Sequence, residues 1–282
     1  MKTYLELMEN VIKYGEKRGD RTGTGTTSLF GPQWEHDFKY GFPLLTTKYV
    51  PFRWVAEELF WFLSGSTNVA DLQAKSVDIW DEWADAETCA KFGRQAGDLG
   101  PIYGHLWRNF DGLYGTNMQG CDQLAELLTD LTQSPTSRRL IVSGWHPVKA
   151  RQVSLPPCHT VFQLYCLVDG GLSLKLYARS IDIFLGLPFN IASYALLLEM
   201  LALVTGRKAA KLYITFGDLH LYNNHQAQAA IQRDRKPYTL PTIDLAMPEG
   251  NTPLARLLNF RWQHVTLKGY KHHPKLAAPV AV

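Results

Sequence analysis

The chain has 282 residues, of which 46% are hydrophobic and 20% charged, with a net charge of +3. Those are globular values, and the length suits one large α/β or α+β domain spanning residues 1–282. A charge this mild argues against a duplex-DNA binder, which would carry a basic stripe, so no specific nucleic-acid partner is expected.

The N-terminus, Met1-Lys2-Thr3-Tyr4-Leu5-Glu6, lacks a basic region followed by an apolar core, so no secretion signal is expected. Leu5, Met8, Val11 and Ile12 recur at helical spacing and predict an amphipathic helix over 4–14. Gly19 to Thr27 alternates glycine and threonine, which predicts a flexible loop able to wrap a phosphate with Arg21 as its charged hand. An ordinary glycine turn before a strand at 28–30 explains the same residues. Phe42 to Lys48 reads as a turn into an extended segment. Phe52, Val55, Leu59, Phe60, Phe62 and Leu63 then predict a strongly apolar helix carrying Glu57 and Glu58. Adjacent carboxylates point in different directions, so one is expected to face inward, with a raised pKa suited to proton transfer.

Trp80 and Trp83, three residues apart, share a face if their segment is helical. Core packing is the default reading, and a stacking platform the sharper one. Residues 86–96 read as a surface insertion, 99–108 as a loop presenting Tyr103, and 123–131 as a helix. Arg138-Arg139 precede a predicted strand at 140–143. A second strand, 160–168, and a third, 172–177, are joined by a hairpin turn at Asp169-Gly170-Gly171. Asn190 is a natural N-cap for a long helix over 191–205, or a reader of a flat polar ring edge. A strand at 212–216 and a helix containing Gln226, Ala229 and Ile231 follow. The tail from Tyr270 is punctuated by proline and ends apolar. No apolar run reads as long enough to span a bilayer, so no membrane partner is expected.

The four cysteines, Cys89, Cys121, Cys158 and Cys166, are too sparse for a disulfide scaffold and have no zinc-ligand spacing. A reducing, cytoplasmic setting without a metal is expected. Cys158 stands apart because Pro156 and Pro157 stiffen its approach, each fixing φ and removing a donor. Cysteine is usually just a small buried hydrophobe. Here Arg138, Arg139 and Arg179 flank it in sequence, and cations are expected to lower a thiol pKa and release the thiolate.

Several blocks together resemble the thymidylate synthase family over nearly the whole chain. They are Asp20-Arg21-Thr22-Gly23-Thr24-Gly25, Asp81-Glu82-Trp83-Ala84, Ser137-Arg138-Arg139, Leu155-Pro156-Pro157-Cys158-His159, Arg179-Ser180-Ile181-Asp182, residues 184–194 and Gly217-Asp218-Leu219-His220-Leu221-Tyr222. The resemblance implies an α/β homodimer, with a large bent mixed sheet from each subunit packed back to back. It implies dUMP and 5,10-methylenetetrahydrofolate as substrates. Cys158 would be the nucleophile on C6 of the pyrimidine, with Glu58 and Tyr103 as the other catalytic groups. Arg21, Arg179 and Ser180 would hold the phosphate, joined by Arg138 and Arg139 from the other subunit. His220 and Tyr222 would hold the sugar hydroxyl, and Asn190 the ring edge. Asp182, with Ile79, Trp80, Trp83, Gly186, Phe189, Ala281 and Val282, would form the folate side.

Three departures from the family pattern are the segment Tyr49-Val50-Pro51-Phe52, Trp54, and His146 after Trp145. Two outcomes remain open for the bound methylene. Hydride capture gives dTMP; capture by water gives a hydroxymethylated nucleotide. A catalytically idle nucleotide- or RNA-binding protein on the same fold is the distant alternative.

Overall fold

A computed structural model describes residues 2–281. Its helices are α1 (Lys2–Tyr14), α2 (Phe52–Ser64), α3 (Ala70–Gln73), α4 (Ala86–Ala90), α5 (Tyr103–Arg108), α6 (Gln123–Gln133), α7 (Gly186–Val204), α8 (Gln226–Arg233) and α9 (Pro253–Leu258). Its strands are β1 (Glu16–Arg18), β2 (Thr26–Phe30), β3 (Gln33–Asp37), β4 (Ile141–Ser143), β5 (His159–Cys166), β6 (Gly171–Asp182), β7 (Lys208–Tyr222), β8 (Thr242–Leu245) and β9 (Val265–Lys268).

Seven strands form one mixed sheet in the order β1-β2-β7-β6-β5-β4, and β3 also pairs with β7. The long β7 serves two neighbours along one edge: β3 pairs with Lys211–Thr215 and β2 with Asp218–Tyr222. Only β6 and β7 run parallel, because α7 carries the chain back between them.

Alternation explains the sheet's two faces. Phe162, Leu164, Leu174, Leu176, Ala178, Leu212, Ile214 and Phe216 are all buried, beneath α7. Fully burying one such leucine or phenylalanine contributes about 1.5–3 kcal/mol. The intervening residues point the other way. Among them Tyr165 stays 63% exposed and Tyr177 37%.

Helix α7 is apolar all round, with mean hydropathy 1.7 over its 18-residue window, of which 78% is buried in the fold. By length and composition it matches a membrane span. The expectation that the chain holds no such run is therefore corrected, since glycine, proline and asparagine in its first turn interrupt the apolar pattern as read along the sequence.

Other boundaries move as well. Tyr103 opens helix α5 and is buried, rather than standing on a loop. Helix α7 starts at Gly186, so Asn190 lies inside it and caps nothing. Arg179 to Asp182 belong to β6 rather than following it. The 86–96 segment contains a short helix that buries Cys89.

Candidate active site

The cysteine segment runs from the buried Pro157 into β5, and three hydrogen bonds fix it. The Cys158 N–H donates to the Tyr103 hydroxyl at 2.7 Å, and the His159 N–H donates to the same oxygen at 3.2 Å. The Arg179 N–H donates to the Cys158 carbonyl at 2.9 Å, where β6 lies beside β5. The Arg179 guanidinium then folds back. Nε donates to the Pro157 carbonyl at 2.9 Å and Nη2 to the Pro156 carbonyl at 2.8 Å. The same Nη2 lies 3.7 Å from Cys158 Sγ. The guanidinium also sits 5.4 Å above the Trp145 ring.

The electrostatics differ from expectation. Burial pushes the Cys158 thiol up, and Arg179 only partly opposes it. Arg138 and Arg139 do not help: both side chains are exposed, and neither guanidinium makes a hydrogen bond or ion pair among the described residues. Nearness in sequence placed three cations by the sulfur, whereas within one subunit the fold brings one.

Glu57 and Glu58 are both buried on α2, so neither lies on a solvated outer face. Glu58 Oε1 accepts from Trp80 Nε1 at 2.7 Å. Burial raises its carboxyl pKa to about 7, against the pull of that hydrogen bond. The Trp80 and Trp83 rings meet edge to face at 5.9 Å, and Trp80 lies 6.3 Å from the Tyr103 ring. Burial likewise keeps the Tyr103 phenol protonated, with Cys158 adding to the effect.

The second wall comes from β6 and β7. Asp182 pairs in register with His220, and Ser180 with Asp218. Positions two apart share a face, so Ser180, Asp182, His220 and Tyr222 line one surface. His220 Nδ1 lies 3.1 Å from Asp218 Oδ1. Asp182 is held rigidly: Oδ1 accepts from the Phe184 N–H at 2.8 Å and Oδ2 from the Leu185 N–H at 3.0 Å. Gly186 follows, where a Cβ would only reach ordinary contact, 3.8 Å from Asn190 Oδ1 and 3.9 Å from Asp182 Cβ. Asn190 lies near the His159 side chain, whose pKa burial lowers to about 4 although Asn190 works the other way. Ile79, Trp83 and Phe189 are half-buried and pack against the core.

The Arg21 loop is more ordered than its glycines suggest. Asp20 accepts from the Thr22 hydroxyl at 2.6 Å, the Thr22 N–H at 2.9 Å and the Gly25 N–H at 2.7 Å. These bonds hold its carboxyl below the usual range. Arg21 itself is exposed and stands near Tyr222.

Two buried groups escaped the sequence reading. Lys48 Nζ bonds the Phe184 carbonyl and lies 3.9 Å from the Phe184 ring centroid. Burial lowers its pKa to about 8, opposed by Asp182. Its signal was a lysine closing the apolar run from Phe42. His225 lies between Asp182 and the C-terminal tail, and only the polar run Asn223-Asn224-His225 hinted at it.

His146 turns away from this site. Its Nε2 lies 3.3 Å from Asp111 Oδ1, its Nδ1 accepts from the Lys149 N–H at 3.4 Å, and its ring meets Phe110 at 5.4 Å. It lines a separate cleft of about 760 Å³ that Cys158, Glu58 and Tyr103 do not touch. Of the tail residues expected at the site, Ala281 is half-buried and Val282 lies outside the described residues. Among the described residues no group of three His, Cys, Asp or Glu is assembled to hold a metal ion.

A nucleophile backed by a guanidinium, with a buried carboxyl of pKa about 7 on the tryptophan beside Tyr103, suits addition to an electron-poor ring followed by proton transfer. A protein-family model described as thymidylate synthase matches residues 2–282.

Proposed function

We propose, since the chain belongs to the thymidylate synthase family, that it methylates dUMP at C5 and yields dTMP and dihydrofolate. Cys158 adds to C6 of the uracil ring, forming a carbon–sulfur bond and leaving C5 as an enolate-type nucleophile. Glu58 works through water near O4, because a carboxyl with a pKa of about 7 both gives and takes a proton at neutral pH. Tyr103, whose hydroxyl accepts two backbone N–H groups and keeps its own proton, helps remove the C5 proton by donating to the water that takes it. At the end the thiolate leaves, so the group must be a good nucleophile and a good leaving group. The observation that carries this reading is Arg179 Nη2 at 3.7 Å from Cys158 Sγ, with Tyr103 fixing the backbone of the same residue.

The cosubstrate is 5,10-methylenetetrahydrofolate, which supplies a one-carbon unit and a hydride when bound. The residues present fit a pterin. Asp182 offers a fixed carboxylate to ring N–H donors, and Trp80 and Trp83 offer ring edges and faces. Arg21, Arg179 and Ser180 hold the phosphate, His220 and Tyr222 the sugar, and Asn190 the base edge.

Hydride capture is favoured over water by His146, whose ring faces Asp111 and Phe110 rather than Cys158. Incubation with dUMP and 5,10-methylenetetrahydrofolate should give dTMP, with one dihydrofolate per nucleotide. A 5-hydroxymethyl product identified by mass spectrometry, with no dihydrofolate, would replace the reading with the hydroxymethylase one. If neither product forms and a labelled ring analogue fails to attach to Cys158, a binding-only protein is left.

The working form is a homodimer in a cytoplasmic setting. Support for the dimer alone comes from the sheet face bearing Tyr165, Tyr177 and Ile141, which stays exposed among the described residues. Arg138 and Arg139, exposed beside β4, then reach the partner's phosphate. A mixed dimer of Arg139→Ala and Cys158→Ser subunits should recover one working site of the two, since one site keeps both groups. If mixing restores no activity above that of either variant alone, the arginines act within their own subunit.

A further inference from the structure

The C-terminal tail is docked by side chains of the α8 region, which take its carbonyls in order. Arg235 Nη1 donates to Pro274 O at 2.9 Å, Gln228 Nε2 to Ala277 O at 3.3 Å, and His225 Nε2 bonds Pro279 O at 2.7 Å. His225 differs from the other two because its ring is fully buried and has a second face. Its Nδ1 points to Asp182 Oδ2 at 3.8 Å and has no hydrogen-bond partner. A buried polar nitrogen left unpaired carries a cost, and a shift of about 1 Å would place it in bonding range of the carboxylate.

We infer that His225 is a positioning residue: it clasps the docked tail at Pro279 to the Asp182 carboxylate, so that tail docking and the placement of Asp182 are one coupled event.

Chemistry favours this over a packing role. The groups facing the ring are Asp182 at the end of β6, Lys48 from the extended segment, the Phe184 ring at 5.5 Å, the Tyr222 ring at 5.6 Å from the end of β7, and the tail carbonyl. With Nε2–H given to Pro279, a neutral imidazole presents a lone pair to a carboxylate, which is repulsive. A protonated ring presents N–H donors to both partners. Burial and Lys48 oppose the charged form, yet Asp182 and the Pro279 carbonyl hold the pKa above its usual value. Asp182 responds in kind: burial raises its pKa, and His225, the Phe184 N–H and His220 together more than reverse that.

Asp182 is the folate-side carboxylate in the proposed function, and the consequence for that substrate rests on that reading. The clasp itself does not, so its first test uses the ligand-free protein. Hydrogen exchange of the backbone over residues 276–281 is measured in the parent, Asp182→Asn, His225→Ala and the double variant. Each single variant should speed tail exchange about fivefold or more, the low end of ordinary coupling between sites. The double variant should be no faster than His225→Ala. Effects that multiply in the double variant, or an Asp182→Asn tail that exchanges like the parent's, would overturn the clasp.

The second test splits the two arms. In His225→Gln the amide can replace Nε2 toward Pro279, and in His225→Asn it can replace Nδ1 toward Asp182. His225→Gln keeps the Pro279 bond but loses the Asp182 arm, so in the ligand-free protein its tail should exchange faster than the parent's and more slowly than that of His225→Ala, while its KM for the reduced folate rises about fivefold or more and its KM for dUMP stays put. His225→Asn should free the tail. Equal changes in both KM values, or parental values in both variants, would reduce His225 to a core histidine. A parent with no dUMP turnover sinks the proposed function alone, and the exchange measurements still decide the clasp.

Discussion

Replacing Cys158 by serine is expected to lower kcat on the order of 10³-fold or more, the scale seen when a covalent nucleophile is lost, while dUMP still binds. A hydroxyl at its free pKa is a far weaker nucleophile than a thiol, and it departs less readily from carbon at the last step. The geometry gives no rescue. Arg179 lies 3.7 Å from the sulfur, but two of its donors are already committed to the Pro156 and Pro157 carbonyls. One shared cation cannot ionise an alcohol. Binding should survive because Ser180, His220, Tyr222 and Asn190 do not depend on the sulfur. The checks are single-turnover kinetics and nucleotide titration on the same preparation. Turnover near the parental rate would remove Cys158 from the mechanism.

The second large effect is at Glu58. Glu58→Gln keeps an acceptor for Trp80 Nε1 but cannot exchange a proton, so kcat should fall about 10²- to 10⁴-fold. The parental rate should also show a titration with an apparent pKa near 7 that the variant lacks. The same substitution has a stability signature of opposite sense. The folded carboxyl titrates at about 7 against an ordinary value of 4.5, so the native state holds a proton that the unfolded chain has released. Stability from this group is therefore full below about 4.5 and is lost as the pH rises through about 7. Glu58→Gln removes that loss, so its thermal midpoint should gain on the parent's between pH 5 and pH 8. A gap between the two proteins that does not change with pH would place the carboxyl in an ordinary solvated setting.

Periodicity made α1, α2 and α6 legible, and the turn residues of Asp169-Gly170 made the β5–β6 hairpin so. The strands β1, β3, β8 and β9 went unread. Glu16-Lys17-Arg18 is polar and fully exposed, and only its partner strand β2 makes it a strand. The length of β7 was missed because Gly217-Asp218 looks like a stop. In fact Gly217 is a close approach: a Cβ there would meet the Arg179 carbonyl oxygen at 2.5 Å, so only glycine lets β7 pass β6 at that point. Asn190 was misplaced because Asp182 supplies acceptors for the N–H groups of Phe184 and Leu185, which lets the helix begin four residues before Asn190.

At the site, residue types were legible and distances were not. Cys158, Tyr103, Glu58 and Trp80 were picked out one by one, but nothing in their order showed that Tyr103 would hold the cysteine backbone. The thiol's environment was misjudged for the same reason, because charge was counted along the chain rather than across space.

The parallel pairing of β6 with β7 also sets a timetable for synthesis. Helix α7 leaves the ribosome after β6 and before β7, so nineteen residues with almost no polar face emerge with half their cover still unmade. A chain grows at about 5–20 residues per second, so the gap until Tyr222 follows Val204 lasts on the order of a second or more. During that interval the segment that later anchors the core is the one most exposed to chaperones, to membranes and to other nascent chains. Slow codons placed between α7 and the end of β7 would lengthen the exposure, and placed after Tyr222 they would not.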